Sequence, residues 1–510
     1  MTQSTLQNSI NDSANNSASN NSSGGFQPPS TIHHAQPESD ASDKSDMSDA
    51  SGSSLLKPSA DASAEGTMTW SRLISDMRLG LEDFHDERRG SRSDFQRDYD
   101  RLVFSSPFRR LQNKTQVFPL PGSIFVHNRL THSIEVACVG RSLANDIAAS
   151  LRTRHPDVPA DTFEAIGEIV AAGCLAHDLG NPPFGHSGEK AIAGFFSEGA
   201  GADLRGELTP AQWSDLVNFE GNANSLRVLT HQFRGRRPGG FAMTYSTLAS
   251  IVKYPYDSTL AGGKGKFGFF TSETECFSRI ADHLGILRLP SPDGSLRFAR
   301  HPLVYIVEAA DDICYEIMDI EDAHKLKILP TDTVISLLLA FFNPDRQEKI
   351  ICHMDRVDDP NEKIAYLRSC AIGALVNCCR DAFLDNEQAI LAGTFTGSLL
   401  SSVDTIETRA YRACSDMSWQ RIYCAPDVVD IELAGNKIVT FLLEKFIHAV
   451  RNPQLNYSRL LLSKVPRQYD VTAPGLFEKI QAVLDHVSAM TDVYALDLYR
   501  KLNGMSLPAV

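Results

Sequence analysis

Two adjacent side chains that can bind a metal ion, His177 and Asp178, end an apolar stretch of the sequence. Successive side chains of a helix diverge by about 100°, so two neighbours can share one ion only near a helix end. Gly180, Pro182 and Pro183 supply such an end. The pair therefore permits a shared divalent ion, whereas thiolates would favour a closed zinc or iron–sulfur site. The alternative is a helix C-terminus whose histidine binds the last carbonyl groups.

Two further segments carry side chains that could complete this ion site. His132 lies in the first turn of a predicted helix that Asn128 or Thr131 would cap. Residues 303–319 predict a strongly apolar helix with Asp311 near its middle, where an unpaired buried charge is costly. Asp311 therefore needs a compensating positive charge.

Spacing places three polar side chains on one face of that helix. Asp311, Tyr315 and Asp319 recur every four residues, so they line one stripe. A carboxylate ligand, a ring that lies against a sugar or base, and an acid that accepts a hydrogen bond from a hydroxyl group would use these three types. The alternative for Asp319 is a solvent-exposed position, like that expected for the neighbouring acids 321 and 322.

These residues occur within longer motifs, which lie at 109–119, 129–136, 177–189, 219–223 and 308–315. The motifs resemble those of the bacterial dGTP triphosphohydrolases, and the likeness extends from about residue 69 to residue 494. The wider HD-domain superfamily of metal-dependent phosphohydrolases has an ordered ligand set that resembles His132, His177, Asp178 and Asp311. The resemblance implies an all-α, mainly helical HD-domain fold with at most a short β-hairpin.

The resemblance also implies a mechanism. His186 and Glu189 match the catalytic histidine of the family and the acid that orients it. The cofactor is then a divalent metal ion, Mn²⁺ or Mg²⁺, with Fe, Co or Zn as alternatives. In family members, water attacks the α-phosphate of a deoxynucleoside triphosphate (dNTP) and releases deoxynucleoside and intact triphosphate. The alternative for His186 is a structural role in the turn.

Three positions match residues that contact the deoxyribose in this family. Gln116 and Tyr315 match residues that lie against the sugar, and Asp319 lies where the 3′-hydroxyl would be recognised. A pocket that small would exclude a ribose 2′-hydroxyl by crowding. The residues that read the base are not identified by any comparable motif, so several dNTPs could be hydrolysed.

Three other positions match residues that approach the triphosphate: Asn222, Lys253 and Tyr254. Lys264 or Lys266 could join them, since a lysine acts on phosphate as a point charge. The alternative for each lysine is a solvated surface position.

Composition is that of a large protein with a sizeable core. The chain has 510 residues, of which 42% are hydrophobic. The sequence lacks an apolar run of about 18 residues, so we expect no membrane span, and its start lacks the features of a secretory signal. We therefore expect a cytoplasmic protein. The 10 cysteines are scattered without Cys-x-x-Cys spacing, which indicates reduced residues.

Charge bears on the partners. A formal net charge of -14 argues against broad attraction to nucleic acid. A basic cluster of Arg109, Arg110 and Lys114 lies beside Gln116. Together with the resemblance, it allows a nucleotide or single-stranded DNA effector in addition to the dNTP substrate, although a solvated basic surface is the alternative. The resemblance also implies a homo-oligomer.

The sequence divides into three parts. Residues 1–67 have the Ser-, Asn- and Asp-rich composition of a disordered low-complexity tail. Residues 68–330 contain every candidate site residue and form the expected HD-type catalytic core, with loops or a short hairpin at 199–210 and 234–271. Residues 331–510 predict a helical C-terminal region that is either a second domain or, as the resemblance implies, an extension that packs on the core and on neighbouring subunits. Its predicted helical segments include 334–341, 365–383, 438–448 and 476–502.

Three functions remain open on the sequence alone. The first is a metal-dependent dNTP triphosphohydrolase that acts on dGTP and other dNTPs. The second is an HD-domain phosphodiesterase that acts on a cyclic or guanosine polyphosphate signal. The third is a catalytically silent nucleotide-binding regulator. The candidate deoxyribose contacts favour the first over the second, and the complete set of ligands and candidate catalytic residues argues against the third.

Overall fold

The described part of the chain folds mainly into helices. The computed structural model describes residues 66–83, 92–118, 126–291 and 295–505. Within these ranges it contains 21 α-helices and one two-stranded sheet, which confirms the predicted mainly helical fold with a short hairpin. Apart from residues 66 and 67, the predicted disordered tail lies outside the described residues.

The helices are numbered in chain order. Those before residue 300 are α1 (Trp70–Leu73), α2 (Asp94–Val103), α3 (Ser106–Arg110), α4 (Arg129–Arg154), α5 (Ala160–Glu164), α6 (Ile166–Ala176), α7 (Gly185–Ser197), α8 (Pro210–Val217), α9 (Gly221–Thr230), α10 (Tyr245–Ala249) and α11 (Thr274–Leu284). Those after residue 300 are α12 (Pro302–Lys325), α13 (Thr331–Leu339), α14 (Pro344–Met354), α15 (Pro360–Asp385), α16 (Glu387–Leu391), α17 (Ile406–Met417), α18 (Pro426–Arg451), α19 (Asn456–Leu462), α20 (Leu476–Ser488) and α21 (Asp492–Leu502). A π-helical turn, Ser418–Ile422, follows α17.

The two strands, β1 (Arg288–Leu289) and β2 (Arg297–Phe298), pair antiparallel, with Arg288 opposite Phe298. Residues 234–271, predicted as loops or a short hairpin, contain α10 and short 3₁₀ turns. Side-chain caps explain the turns: Thr244 accepts a hydrogen bond from Thr247 N, and Asp257 accepts one from Thr259 N.

The predicted helical segment 476–502 is divided into two helices. Helix α20 ends at residue 488, and α21 begins at residue 492. Thr491 caps the second helix by accepting a hydrogen bond from Tyr494 N (3.1 Å). The break therefore follows from a local capping signal within a continuous apolar pattern.

Helix α6 is almost entirely buried and packs against α2, α4, α10 and α12. All of its residues except Glu168 are buried. An added Cβ at Gly140 of α4 would lie 2.6 Å from Cys174 Sγ of α6, so glycine permits the close approach of these two helices. Among the described residues, no helix combines the length and the apolar character needed to cross a lipid bilayer.

Two hydrophobic clusters hold the helices together. The larger cluster includes side chains from α2, α4, α6 and α12 and continues through α13, α15 and α17. The smaller cluster joins α7 and α8 to α18, α19, α20 and α21. The boundary expected at residue 330 stays a prediction, and the larger cluster contains side chains from both sides of it.

A buried ion-pair network connects α9 to α20, and we expect its loss to be costly. Arg227 is 4% exposed, makes two hydrogen bonds to Asp485 (2.8 and 2.9 Å) and donates to Glu273 Oε1 (2.8 Å). Arg227→Met would leave two carboxylates buried without their cation, so the free energy of unfolding should fall by about 3–5 kcal/mol. Chemical denaturation measures this change.

A matched control for this prediction is Arg412→Met. Arg412 is exposed and pairs with Asp404 (2.6 Å), which is also exposed. Because exposed pairs contribute about 0–1 kcal/mol, this variant should unfold at nearly the unaltered denaturant concentration. Equal stability of the two variants would contradict the importance of the buried network.

Candidate active site

His132 lies in the first turn of α4, which begins where it was predicted to begin. Asn128 Oδ1 accepts a hydrogen bond from Thr131 N (3.0 Å), and Thr131 Oγ1 accepts one from Asn128 N (3.1 Å). This reciprocal cap fixes the start of the helix. His132 is 2% exposed, and its Nε2 lies 2.9 Å from Asp311 Oδ1.

His177 and Asp178 directly follow the last residue of α6, as expected from the apolar stretch before them. His177 Nδ1 donates to Cys174 O (2.6 Å), so the other ring nitrogen, Nε2, remains for a further partner. Nε2 is buried and has no hydrogen-bond partner among the described residues. The alternative interpretation, a histidine that binds the last carbonyl groups, therefore accounts for only one of the two nitrogens.

The structure brings the four predicted ligands together. One ligand atom from each of His132, His177 and Asp178 lies within 4.8 Å of the other two. Asp311 Oδ1 lies 3.4 Å from His177 Nε2, and Asp178 Oδ1 lies 3.6 Å from the same nitrogen. Ligand atoms about 2.0–2.2 Å from one divalent ion are separated by about 3–4 Å, so these residues fit such an ion.

The charges of the cluster also favour a cation. Burial lowers the pKa of His177, but the negative charges of Asp178 and Asp311 outweigh burial and raise it to about 9. Burial raises the pKa of Asp311, but His177 and His132 hold it well below its ordinary value. Both carboxylates, Asp178 and Asp311, are thus ionised at neutral pH, and a bound cation would meet their negative charge in place of the proton on the His177 ring.

Two residues that the sequence did not single out hold Asp178 in place. Arg129 Nη1 donates to Asp178 Oδ2 (2.7 Å), and Asn181 Nδ2 donates to Asp178 Oδ1 (2.5 Å). Both are buried. Arg129 lies three residues before His132 in the same helix, so both lie on one face. This spacing could have indicated from the sequence that Arg129 belongs to the site.

His186 and Glu189 lie in the first turns of α7, as predicted. His186 Nδ1 lies 3.0 Å from Glu189 Oε2, and Glu189 Oε1 accepts a hydrogen bond from Gly221 N (2.9 Å). Burial would raise the pKa of Glu189, but the charge and hydrogen bond of His186 hold it below its ordinary value. The His186 side chain is 53% exposed, which leaves it accessible to a substrate.

Shared neighbours place this pair beside the ligand cluster. An added Cβ at Gly221 would overlap both Asn181 Oδ1 and Glu189 Oε1. Asn181 therefore lies next to Glu189 while it donates to Asp178. The α7 N-terminus and the candidate metal ligands form one continuous site.

The candidate deoxyribose contacts lie along α12, on the stripe that the spacing predicted. The ring centroid of Tyr315 lies 6.4 Å from that of His132 and 6.3 Å from that of Tyr423. Tyr423 Oη donates to Asp319 Oδ2 (2.9 Å). Burial and the charge of Glu316 raise the pKa of Asp319 well above its ordinary value.

Gln116 and Tyr423 complete this part of the site in different ways. Gln116 Oε1 is buried and has no hydrogen-bond partner within the described ranges. Such an atom is costly to leave unsatisfied, which suits a position that binds a polar ligand group. Tyr423 was not predicted, because it follows Asp319 by more than 100 residues and no periodicity connects the two.

The candidate triphosphate contacts are held by two different carboxylates. Asn222 Nδ2 donates to Glu220 Oε1 (2.9 Å), and Lys266 Nζ donates to the same oxygen (3.0 Å). Lys253 Nζ lies 3.2 Å from Glu308 Oε1 and 5.7 Å from the Tyr254 ring centroid. The side chain of Lys264 lies outside the described part of the chain.

Lys114 does not belong to a basic surface cluster, which corrects the sequence interpretation. Its side chain is 2% exposed, and its Nζ donates to Asn181 O and to Ser488 O (2.8 Å). Arg109 is exposed, and Arg110 is half-buried. Two distant carbonyl groups satisfy the buried lysine, and the local sequence gave no sign of them.

Comparisons with known proteins agree with this geometry. Residues 129–212 match the HD domain, and residues 407–501 match the phosphohydrolase-associated domain. The first match contains every predicted ligand except Asp311, and it also contains the His186–Glu189 pair.

Relatives extend the similarity over most of the chain. A deoxyguanosinetriphosphate triphosphohydrolase-like protein of Pseudomonas aeruginosa (strain LESB58) is 37% identical over 457 residues, which cover 87% of this chain and the whole relative. A protein of the same description from Synechocystis sp. is 38% identical over 86% of this chain and the whole relative. The deoxyguanosinetriphosphate triphosphohydrolase of Yersinia enterocolitica is 28% identical over 80% of this chain and 93% of its own length. The chain therefore belongs to the HD-domain family of deoxyguanosinetriphosphate triphosphohydrolase-like proteins, as its motifs predicted.

Proposed function

We propose that this protein is a metal-dependent dNTP triphosphohydrolase that converts dGTP, and other dNTPs, to deoxynucleoside and inorganic triphosphate. The observation that carries the proposal is the buried ligand cluster, with the unpartnered Nε2 of His177, beside the His186–Glu189 pair. His132, His177, Asp178 and Asp311 would hold a divalent ion, Mn²⁺ or Mg²⁺ first among those to test. When bound, such an ion supplies a Lewis acid for a phosphoryl oxygen and lowers the pKa of water.

The residues of the chain supply the rest of the chemistry. Water forms a bond to the α-phosphorus, the bond from phosphorus to the 5′ oxygen breaks, and the proton released by water balances the proton gained by that oxygen. His186 is accessible and is oriented by Glu189, so we assign it the proton transfer. Arg129 and Asn181 fix the orientation of Asp178, as outer partners of metal ligands commonly do.

The α12 stripe supports a deoxyribose pocket in this proposal. Tyr315 and Gln116 would lie against the sugar, and Asp319 would bind the 3′-hydroxyl. The pair formed by Asp319 and Tyr423 fixes the carboxyl group in one orientation. Asn222, Lys253 and Tyr254 would approach the triphosphate, with Lys253 exchanging its contact with Glu308 for phosphate.

Removal of the Asp319 carboxyl group should weaken binding of substrates that carry a 3′-hydroxyl. A hydrogen bond to a charged or strongly polar group contributes about 1.5–3 kcal/mol, so Asp319→Ala should raise the KM for dGTP roughly 10- to 100-fold. The inhibition constant of 2′,3′-dideoxyguanosine triphosphate should change much less, because it lacks that hydroxyl. Equal weakening of both nucleotides would contradict recognition of the 3′-hydroxyl by Asp319.

A product assay tests the proposed function directly. Metal-loaded protein is incubated with each dNTP, each rNTP and a cyclic dinucleotide, and the products are identified. Deoxynucleoside with intact triphosphate supports the proposal. Orthophosphate, hydrolysis of rNTPs at an equal rate, or a linear dinucleotide would contradict it.

Three further parts of the proposal rest on the sequence alone. They are a cytoplasmic location, assembly into a homo-oligomer, and regulation by a nucleotide or single-stranded DNA. The regulatory part now depends on Arg109 and Arg110 without Lys114, which is buried. A DNA titration at several salt concentrations, with turnover measured in parallel, tests that part.

A further inference from the structure

Residues 490–494, where the family resemblance ends, have no place in the proposed mechanism, although the structure connects them to the candidate active site. Asp492 is the first residue of α21 and is 7% exposed. Its Oδ2 accepts hydrogen bonds from Thr115 N (2.7 Å) and Thr115 Oγ1 (2.6 Å). Its Oδ1 accepts one from Phe184 N (2.9 Å). One carboxylate thus joins two segments that are distant in the sequence.

The segment that contains Phe184 also contains the candidate proton-transfer histidine, His186. Phe184 precedes α7 with a φ of 65°, a left-handed conformation that is uncommon for a residue other than glycine. The N-terminus of α7 has no side-chain cap at Phe184. The hydrogen bond from Phe184 N to Asp492 holds this strained residue, and His186 follows two positions later.

The segment that contains Thr115 also contains Gln116, the candidate deoxyribose contact. Thr115 directly precedes Gln116, and Lys114 O accepts a hydrogen bond from Arg129 N (3.2 Å). The buried Nζ of Lys114 donates to Asn181 O and to Ser488 O at the end of α20. The same short segment therefore contacts Asp492, Arg129 and the loop that follows Asp178.

We propose that Asp492 is a positioning residue that holds His186, through Phe184, and Gln116, through Thr115, in the arrangement needed for turnover. This inference rests on the proposed function, since the two positioned side chains have their roles in dNTP hydrolysis. Within the described residues, the hydrogen bonds of the Asp492 side chain go to Thr115 and Phe184, and none goes to a candidate metal ligand. Its loss should therefore lower kcat while the metal content is retained.

Asp492→Asn tests the inference with little change in volume. An asparagine offers one oxygen where the carboxylate offers two, so its NH₂ group would face a backbone donor. A displacement of catalytic groups by about 1 Å can cost about a hundredfold, and we expect kcat for dGTP to fall roughly 10- to 100-fold while KM changes less than about threefold. Hydrogen–deuterium exchange should become faster in peptides that cover residues 113–117 and 181–190.

Asp497→Asn is the matched control. Asp497 also lies on α21, but it is about half exposed and pairs with Lys501 (2.6 Å). This variant should keep the kcat and the exchange rates of the unaltered protein. Equal kcat in the two variants, or a lower kcat in Asp492→Asn without faster exchange at residues 181–190, would overturn the inference.

A milder variant covers the case in which Asp492→Asn does not fold. Thr115→Val keeps the Thr115 backbone donor and the Asp492 carboxylate but removes the Oγ1 hydrogen bond. It should lower kcat less than Asp492→Asn and accelerate exchange at residues 113–117, and unchanged exchange there would count against the inference. If the unaltered protein and Asp497→Asn both release no triphosphate, the proposed function fails, and the exchange measurements still decide whether Asp492 holds the two segments.

Discussion

Replacement of His177 by alanine is expected to abolish both binding of the divalent ion and hydrolysis of dNTPs. His177 Nε2 lies 3.4 Å from Asp311 Oδ1 and 3.6 Å from Asp178 Oδ1, and it has no hydrogen-bond partner in the described part of the chain. Lewis-acid stabilisation of a transition state contributes several kcal/mol, and about 1.4 kcal/mol corresponds to a tenfold change in rate. Turnover should therefore fall at least about a thousandfold, measured beside the metal content of the purified variant.

His486→Ala is a matched control for this variant. His486 is 4% exposed, and its Nε2 also has no hydrogen-bond partner among the residues described. Burial, together with the charge of Arg110, lowers its pKa to about 4. This control should bind the metal normally. Asp178→Ala should behave like His177→Ala, and a His177→Ala protein that kept a full complement of metal would refute the four-residue site.

Local signals explain why much of the candidate site could be predicted. The start of α4 follows from the reciprocal cap of Asn128 and Thr131, which two residues three positions apart encode. The end of α6 follows from an apolar run that stops at a glycine and two prolines. The α12 stripe follows from the four-residue spacing of Asp311, Tyr315 and Asp319. Each of these signals lies within one short stretch of the chain, so the sequence is sufficient to predict the helix ends and the face of α12.

Contacts between distant segments explain what could not be predicted. Lys114 is surrounded by carbonyl groups from residues 181 and 488, so its burial depends on two remote turns. Tyr423 directly follows the π-helical turn after α17 and reaches Asp319, and Asp492 reaches Phe184 across 308 positions. Neither composition nor periodicity encodes such pairs. The sequence therefore indicated the candidate ligands, which the structure brings together, but not the residues that hold them.

Replacement of His186 by alanine should separate proton transfer from metal binding. His186 Nδ1 donates to Glu189 Oε2 at 3.0 Å, and Glu189 Oε1 accepts in turn from Gly221 N. General acid–base catalysis contributes about 10²- to 10⁴-fold, so turnover of dGTP should fall by that factor. The metal content should stay unchanged, because His177, Asp178 and their partners are intact. Parallel measurement of kcat and of bound metal tests both expectations.

Two further variants sharpen this prediction. Glu189→Gln should lower kcat less than His186→Ala, because the imidazole remains while the carboxylate that orients it is lost. His283→Ala removes an exposed histidine whose Nε2 lies 2.9 Å from Ser75 Oγ, and it should leave kcat unchanged. Normal turnover in His186→Ala would show that another group transfers the proton. Loss of the metal together with activity would instead assign His186 to the ligand set and leave the proton transfer without a residue.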